Sequence, residues 1–274
     1  MDYRDRHVVV TGGTGALGTA VVGALIAAGA VCHVPYVDRA EADRFALRDH
    51  PKVTLVADID LTQEADVAEL YRGVPSLWAS IHLAGGFAMA PVAKTTKSDL
   101  MKQVEMNFVT AFLCCRAAVN AMTAAAAGGR IVNVATRLAL EWRQGAGTAA
   151  YTASKSALAA LTVALAEEVV PAGILVNAVA PSTMDTAANR RAMPNADHAA
   201  WAKVEEVAAT ILFLASPENR VTRGAVDAAA DNGEVEIGHA CSFRSARGKH
   251  DASQEPAQAR LPQDRLLHRA RHSR

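Results

Sequence analysis

The sequence predicts an α/β fold in which a mainly parallel sheet is covered by helices on both faces. Short apolar runs alternate along the chain with longer amphipathic stretches, which is the pattern of repeated βαβ units. Two of these runs, residues 131–135 and 174–180, are largely apolar without alternation, as expected of strands buried on both sides. A glycine cluster separates the first apolar run from the first amphipathic stretch.

The elements follow one another in a regular order. The predicted strands are residues 7–10, 31–37, 53–57, 80–84, 130–135 and 174–180. The predicted helices are residues 19–28, 64–71, 97–122, 151–170 and 204–214. Breakers mark several ends: Gly29 ends the first helix, Gly128 and Gly129 precede the fifth strand, and Pro171 and Gly173 follow the fourth helix. We therefore expect one Rossmann-type, doubly wound sheet.

Bulk composition fits one large domain and restricts its partners. The chain has 274 residues, of which 51% are hydrophobic, enough for a large core. The 28 basic and 28 acidic side chains balance, so we expect neither a nucleic-acid nor a membrane partner. No signal-peptide pattern opens the chain, and no apolar run reaches the ~20 residues that span a bilayer, which favours a cytoplasmic location. None of the four cysteines has a metal-ligand spacing, so we expect buried thiols and no metal site.

The composition changes near Asp227. Residues 231–274 are polar and basic with few large apolar side chains, which predicts a disordered tail after a folded domain of residues 1–230. The segment where a last apolar strand is expected, residues 224–231, is polar and alanine-rich. Our hypothesis is that the reading frame has shifted near Asp227.

The glycine cluster predicts a phosphate-binding loop. Residues 11–18 read TGGTGALG between the first strand and the first helix. Glycines allow the backbone to approach a pyrophosphate, and the free N–H groups of the helix terminus attract anions. The end of the second strand leaves the choice between NAD and NADP open. Asp38 lies two residues beyond the position expected for an acid that binds ribose, and Arg39 is suited to a 2′-phosphate.

Tyr151 and Lys155 are the candidate acid–base pair. Their i, i+4 spacing places both side chains on one face of a predicted helix. Free tyrosine has a pKa near 10, and a neighbouring ammonium group is expected to lower that pKa. The pair is then suited to exchange a proton with a carbonyl or alcohol oxygen.

Several sequence blocks within residues 6–225 resemble motifs of the short-chain dehydrogenase/reductase family, and they occur in the same order and with similar spacing. The blocks are TGGTGALG, Asp60-Leu61-Thr62, Ala84-Gly85-Gly86, Asn107 within MNFVTAF, the strand IVNV, YTASKSAL with Tyr151 and Lys155, VNAVAP ending at Pro181, and Thr186. The cofactor contacts we expect are Gly12, Thr14, Gly15, Ala16, Leu17, Gly18, Asp38, Arg39, Asp60, Leu61, Ala84, Gly85, Tyr151, Lys155, Pro181, Thr183 and Thr186.

The resemblance implies an NAD(P)-dependent oxidoreductase that acts on a small carbonyl or alcohol substrate. Tyr151 would protonate the carbonyl oxygen as hydride arrives from nicotinamide. Lys155 would hold the nicotinamide ribose and lower the tyrosine pKa, and Asn107 would position a water molecule. The family usually forms dimers or tetramers through the helices that correspond to residues 97–122 and 151–170, so a homodimer or homotetramer is expected.

Two residues depart from the family pattern. Thr136 stands where the catalytic serine is expected, fifteen residues before Tyr151 where the family usually has thirteen. Its hydroxyl is a candidate catalytic group, and the alternative is a threonine that bonds local backbone. His82 and Leu83 replace the paired asparagines before Ala84. We expect His82 to be a packed strand residue, although a histidine there has the chemistry of a base.

Two other functions stay open at this stage. The run from Met184 to Pro194 is similar to the substrate loop of dihydropteridine reductases, which also lack the serine. The missing serine and the altered C-terminal segment are also compatible with a non-catalytic dinucleotide-binding protein. The specific substrate cannot be inferred from the residues.

Overall fold

The computed structural model describes residues 1–228. The predicted tail of residues 231–274, and with it the division at residue 230, lies outside the described residues. The strands are β1 (His7–Thr11), β2 (Val31–Pro35), β3 (Val53–Val56), β4 (Leu77–His82), β5 (Gly129–Val134), β6 (Ile174–Val179), β7 (Met184–Asp185), β8 (Ala202–Lys203) and β9 (Val226–Asp227). The α-helices are α1 (Ala16–Ala27), α2 (Arg39–Arg44), α3 (Glu64–Arg72), α4 (Lys97–Val104), α5 (Thr110–Ala125), α6 (Ala149–Glu168), α7 (Ala187–Ala192) and α8 (Val204–Ala215).

Seven strands form one sheet in the order β3-β2-β1-β4-β5-β6-β9, and every neighbouring pair is parallel. The order reverses direction between β1 and β4, which creates the crevice where ligands bind in open α/β sheets. β7 and β8 form a separate two-stranded ribbon. The predicted doubly wound sheet is confirmed.

The hydrophobic core lies in two layers on opposite faces of the sheet. On one face, α1 packs against α8, with Val21, Leu25 and Ile211 fully buried. On the other face, α3 packs against α5, and α5 and α6 lie on β4 and β6. Burial of apolar side chains from both layers stabilises the sheet at about 25 cal/mol per Å² of apolar surface removed from water.

The long helix predicted for residues 97–122 differs in detail. It begins at Lys97, where Thr96 and Asp99 form a reciprocal capping box. A π-helical turn, Glu105–Val109, then separates α4 from α5, which continues to Ala125. Such a turn holds one residue more than an α-helical turn, and its sequence carries no periodicity signal.

Other boundaries also differ from the prediction. β2 ends at Pro35 rather than at residue 37, because the chain turns into α2, where the Asp38 side chain caps the helix by accepting the Ala40 N–H. The helices α2 and α7 and the ribbon β7–β8 were not predicted. The expected last strand is present only as β9, two residues long, paired with Ala178 and Val179.

Two helical stretches are by length and composition alone apolar enough to cross a membrane, residues 97–125 and Ala149–Glu168. Polar residues interrupt both stretches, so neither is the continuous apolar run that the sequence analysis requires of a membrane span. Core helices of soluble proteins meet the same criterion, and these helices contact the sheet through β4 and β6. Cys32, Cys114 and Cys115 are buried free thiols, as predicted, and burial raises the pKa of each thiol.

Candidate active site

The predicted site residues meet at the C-terminal edge of the sheet, beside the crevice between β1 and β4. β1, β4, β5 and β6 are parallel neighbours, so the loops that follow them share one edge. These loops carry the glycine cluster, residues 84–86, Thr136 and Pro181. In open α/β sheets this edge is where ligands bind.

The glycine loop is built so tightly that side chains are excluded. Gly12 has φ +65°, and a Cβ there would lie 2.7 Å from the backbone nitrogen of Ala84. A Cβ on Gly18 would lie 2.2 Å from the carbonyl oxygen of Gly12. Because both contacts involve backbone, no side-chain rearrangement relieves them. The loop therefore brings the start of α1 against the strand ends.

The start of α1 is open to an anion. Gly15 is its N-cap residue and offers no side-chain hydrogen bond to the first turn, and Gly15 and Ala16 are exposed. Unpaired N–H groups at a helix N-terminus, together with the helix dipole, bind phosphate groups. The start of α1 therefore fits a dinucleotide pyrophosphate, and the individual contacts of Gly12, Thr14, Gly15, Ala16, Leu17 and Gly18 stay predictions.

The adenosine end of the predicted cofactor site is less defined. Asp38 uses its carboxylate to accept the Ala40 N–H at 2.8 Å, so it caps α2. The Arg39 side chain is 81% exposed, with Asp43 3.6 Å away. Glu41, which was not predicted, accepts a hydrogen bond from the Thr14 hydroxyl at 3.3 Å. The spacing of Asp38 and Glu41, an acid at the cap and another three residues later, is a signal that could have located α2 and Glu41.

Asp60 and Leu61 lie in a turn after β3. The Asp60 carboxylate accepts hydrogen bonds from the Thr62 backbone N–H at 2.9 Å and from the Thr62 hydroxyl at 2.8 Å. These hydrogen bonds of Asp60 stabilise the turn in which it lies. The contact of this segment with adenine stays a prediction.

Lys155 is anchored to the sheet from the first part of α6. Its ammonium group donates to the Val134 carbonyl oxygen at 2.7 Å, and the side chain is buried. Burial lowers the pKa of Lys155 to about 8. A Cβ on Gly85 would lie 3.3 Å from Nζ of Lys155 and 2.6 Å from Oδ1 of Asn107, so these three predicted residues are brought together.

Tyr151 lies on the same helix, near the side chain of Thr136. Burial raises the pKa of Tyr151, and the hydrogen bond from the Thr136 side chain acts in the opposite direction. The expected lowering by Lys155 is therefore not the dominant effect among the protein groups. The reason is geometric: the lysine ammonium is directed to the Val134 carbonyl.

Thr136 reaches Tyr151 although fifteen residues separate them. It follows β5 in an extended conformation and is 7% exposed. The backbone on either side is fixed to β6 and its following loop: Ala135 N–H bonds to Val179 and Arg137 N–H bonds to Pro181, at 2.8 and 3.0 Å. The longer loop after Arg137 is accommodated in two short 3-10 turns, so it does not displace Thr136.

Asn107 lies in the π-helical turn and clamps the loop after β4. Its Oδ1 accepts the Gly86 N–H at 3.0 Å, and its Nδ2 donates to the Gly86 carbonyl oxygen at 3.0 Å. Nδ2 also lies 3.3 Å from Oε1 of Gln103, a buried residue that was not predicted. The side chain thus fixes the segment Ala84–Gly85–Gly86, and its expected contact with water stays a prediction.

The loop after β6 is held by its own contacts. The Thr183 carbonyl accepts the Ala202 N–H at 3.2 Å, and the Thr186 hydroxyl caps α7 by accepting the Asn189 N–H at 3.1 Å. Pro181 is buried and bonds Arg137 through its carbonyl group. Contacts of Thr183 and Thr186 with a cofactor stay predictions.

His82 lies away from this cluster, inside the sheet layer. Its ring nitrogens lie 2.8 Å from Ser80 Oγ and 2.8 Å from Asn133 Oδ1. Tyr71 continues the network to Ser80 at 2.6 Å, and Asn133 continues it to Thr162 on α6 at 2.9 Å. His82 is 2% exposed, and burial lowers its pKa to about 4. It is the packed histidine that the sequence predicted.

Phe87 was missed by the sequence reasoning. Its ring meets the ring of Tyr151 edge to face, with centroids 5.0 Å apart and planes at 79°. The two residues are far apart in sequence, and no motif joins them. A simple signal was available, since Phe87 directly follows the Ala84-Gly85-Gly86 block.

Two surface cavities lie apart from this cluster. One is a groove between α3 and α5, and the other lies beside Trp142 on the outer face of α6. Neither is lined by Tyr151, Lys155 or Asn107. Among residues 1–228, no group of three or more His, Cys, Asp or Glu side chains is arranged to hold a metal ion.

Comparison with known proteins gives consistent matches. Residues 6–197 match the family model described as short chain dehydrogenase. Galactitol 2-dehydrogenase of Rhizobium johnstonii is 33% identical, over 81% of this chain and 92% of that protein. Cis-4-hydroxycyclohexanecarboxylate dehydrogenase of Sinomonas cyclohexanicum is 32% identical, over 86% of this chain and 98% of that protein.

A solved structure, ElxO with NADP bound, has the same fold. The TM-score is 0.75 at 21% sequence identity, and the match covers 82% of this chain and 96% of that chain.

Proposed function

The chain belongs to the short-chain dehydrogenase/reductase family and is an NAD(P)-dependent oxidoreductase, and we propose that Tyr151 is its catalytic acid and base. The substrate we propose is a small carbonyl or alcohol compound. The names of the two relatives described above specify alcohols, galactitol and a hydroxycyclohexanecarboxylate, which supports this class. One observation carries the proposal: Lys155, one helical turn from Tyr151 on α6, lies beside Gly85, and the neighbouring Ala84 lies against Gly12 of the glycine loop.

The nicotinamide dinucleotide, when bound, supplies or accepts the hydride. We propose that the loop from Gly12 to Gly18 holds its pyrophosphate and that Asp38, Arg39, Asp60 and Leu61 hold its adenosine part. Ala84, Gly85, Lys155, Pro181, Thr183 and Thr186 are the remaining proposed contacts. The choice between NAD and NADP stays open, because Asp38 caps α2 and Arg39 is exposed.

The proton is moved by the protein's own side chains. In reduction, the Tyr151 hydroxyl donates its proton to the carbonyl oxygen, and in oxidation the phenolate accepts the proton of the alcohol. The Thr136 hydroxyl stabilises the phenolate by donating a hydrogen bond to it. The Lys155 ammonium group bonds to β5 beside Gly85, which supports its proposed role in binding the ribose, and Asn107 keeps the adjoining loop in place.

Tyr151→Phe tests this assignment. We expect the variant to bind NADPH or NADH as the wild type does, followed by nicotinamide fluorescence, and to lose turnover by about 10²–10⁴-fold, the range for loss of a general acid or base. Tyr3→Phe is the matched control, because it removes a tyrosine hydroxyl that donates to the Leu212 carbonyl, away from the site. Normal turnover by Tyr151→Phe would exclude Tyr151 as the acid–base group.

The same assays separate the alternative functions. Faster reduction of a quinonoid dihydropterin than of any ketone would assign a dihydropteridine-type reductase. Cofactor binding without turnover of any carbonyl compound, alcohol or pterin would assign a non-catalytic dinucleotide-binding protein. Separate titrations with NADH and NADPH give the two affinities, and their ratio decides the cofactor preference, which the positions of Asp38 and Arg39 leave open.

We also propose a homodimer or homotetramer formed through the helices α4, α5 and α6. Met101, Phe112 and Val163 expose apolar side chains on these helices, which supports the proposal. Light scattering of the purified protein measures the oligomeric state, and a monomer at working concentration would contradict it.

A further inference from the structure

Phe87 places an apolar ring beside the proposed catalytic hydroxyl. Its edge-to-face contact with Tyr151 has a centroid distance of 5.0 Å, yet its side chain is 60% exposed. An edge-to-face pair uses only part of the surface of each ring, which leaves apolar area free for a further contact. A large aromatic side chain held open to solvent next to a reactive group is a candidate ligand contact.

The position of Phe87 is fixed by the backbone before it. Asn107 binds both the N–H and the carbonyl group of Gly86, each at 3.0 Å, and Phe87 is the next residue. Asn107 lies on the helical stretch that runs from α4 to α5, and Tyr151 lies on α6, which contacts that same stretch. The backbone that precedes Phe87 and the ring that Phe87 contacts therefore both belong to packed elements, as expected of a preorganised binding surface.

Two methionines lie near Phe87 along the chain or beside its neighbour Gly86. Met89, two residues further along the loop, is 69% exposed. The sulfur of Met106 packs against Gly86, where a Cβ would lie only 2.3 Å from it. Single exposed apolar residues are common on protein surfaces, but a cluster beside a reactive group marks a binding site. Methionine side chains adapt their shape to a ligand, whereas the ring offers a flat face.

We propose that Phe87 is a specificity-determining residue that selects substrates whose reacting carbon belongs to a ring or carries a flat apolar group. This inference rests on the proposed function of Tyr151. A carbonyl oxygen bonded to the Tyr151 hydroxyl has its carbon frame within reach of the Phe87 ring, because the two rings are in contact. A ring-shaped substrate covers the exposed face of Phe87 more completely than an open chain of equal size.

The test compares paired ketones of equal carbon number, cyclic against open-chain, from five to eight carbons, with NADPH or NADH as reductant. We expect the wild type to favour the cyclic member in kcat/KM. We expect Phe87→Ala to reduce that preference about tenfold, mainly through KM, because the lost contact binds ground state and transition state alike. Val92→Ala is the control, since Val92 is an exposed apolar residue that follows in the same loop region.

A binding measurement accompanies the kinetics. We expect the complex of the protein with its preferred reduced cofactor, NADPH or NADH, to bind cyclohexanol more tightly than 2-hexanol, as followed by nicotinamide fluorescence. Phe87→Ala should lose that difference while its affinity for the same cofactor is unchanged. If Phe87→Ala keeps the preference for cyclic substrates, or if Val92→Ala loses it to the same extent, the inference about Phe87 is wrong and the proposed function of Tyr151 is unaffected. Cofactor binding without turnover of any ketone by the wild type overturns the proposed function, and this inference with it.

Discussion

Two opposing effects act on the acidity of Tyr151: its burial, and the neighbouring Thr136 side chain. Burial alone raises the pKa of Tyr151, and the donated bond from Thr136 counteracts the rise. A serine hydroxyl at position 136 can make the same bond, whereas a valine cannot.

We therefore expect Thr136→Val to lower kcat/KM for alcohol oxidation by about 10–100-fold, since a hydrogen bond to a charged group contributes about 1.5–3 kcal/mol. The pH at which oxidation becomes half-maximal should rise, because the phenolate loses a donor and the pKa of Tyr151 increases. Thr136→Ser should stay close to wild type in both respects. Measured pH–rate profiles that coincide for Thr136→Val and wild type would contradict this role.

The residue scale also shows what sequence can and cannot reveal about a site. Tyr151, Lys155 and Asn107 belong to short motifs, so they could be assigned before any coordinates were known. The Phe87–Tyr151 contact depends on how the loop after β4 lies against α6, which periodicity does not describe. The carbonyl partner of Lys155, on Val134, is equally invisible, because backbone groups carry no sequence signal.

At the scale of elements, the glycine loop and α1 give a pair of matched substitutions. A Cβ on Gly18 would lie 2.2 Å from the Gly12 carbonyl oxygen, whereas a Cβ on Gly23 of the same helix meets only a Leu47 side-chain carbon at 3.7 Å. We expect Gly18→Ala to abolish NADPH and NADH binding and to destabilise the protein by about 1–3 kcal/mol. Gly23→Ala should bind normally and gain about 0.5–1 kcal/mol, because alanine favours helix.

Isothermal titration and chemical unfolding of the two variants provide these values. Normal cofactor affinity in Gly18→Ala would show that the loop adjusts its backbone. It would also remove the support that this loop gives to the pyrophosphate site.

The network around His82 connects β4, β5 and α6, and it predicts a pH dependence of stability. The folded-state pKa of His82, about 4, lies below the ordinary value of 6.5. The unfolded chain therefore binds a proton between these values that the folded chain does not. Full stability is present above pH 6.5 and is lost as pH falls toward about 4, and this one group contributes a loss of about 3 kcal/mol.

His82→Asn should flatten the His82 part of this slope, because asparagine can bond to Ser80 and Asn133 without titrating. His33, whose pKa burial also lowers to about 4, stays in place in both proteins and serves as an internal reference. The measurement is the free energy of unfolding by urea from pH 4 to 8. Equal slopes for wild type and His82→Asn would show that His82 is not the titrating group.

The element scale explains why the pattern of strands and helices was predictable and some boundaries were not. β5 and β6 are largely apolar on both faces, which identifies buried parallel strands directly. The π-helical turn keeps helical hydrophobic spacing on both sides, so the predicted helix of residues 97–122 shows no break. The ribbon of β7 and β8 is too short to produce a pattern.

At the scale of the whole molecule, every proposed site residue lies at or before Thr186. The described part of the sheet ends with β9, which adds only two residues beside β6. The domain division predicted at residue 230 is therefore testable by truncation. We expect the chain of residues 1–230 to retain the cofactor affinity and the thermal midpoint of the full chain, because few apolar side chains follow that point.

Differential scanning calorimetry and cofactor titration of the two chains provide the comparison. Loss of cooperative unfolding on truncation would show that the basic C-terminal segment belongs to the folded domain. The separate hypothesis of a frame shift near Asp227 is tested on the coding sequence. If the next reading frame does not encode a family-like C-terminus, that hypothesis is wrong.

The π-helical turn that holds Asn107 has a consequence for insertions and deletions. Each residue advances an α-helix by about 100°. Removing one residue from the middle of α5 would rotate the rest of that helix relative to α4 by that angle, and the cysteines and Met122 that α5 buries would turn toward water. A deletion inside Glu105–Val109 instead converts the wider turn into an α-helical one, so α4 and α5 keep their phase and the damage is confined to the contact of Asn107 with Gly86. A single-codon deletion should therefore be far more damaging in α5 than in the π-helical turn beside it.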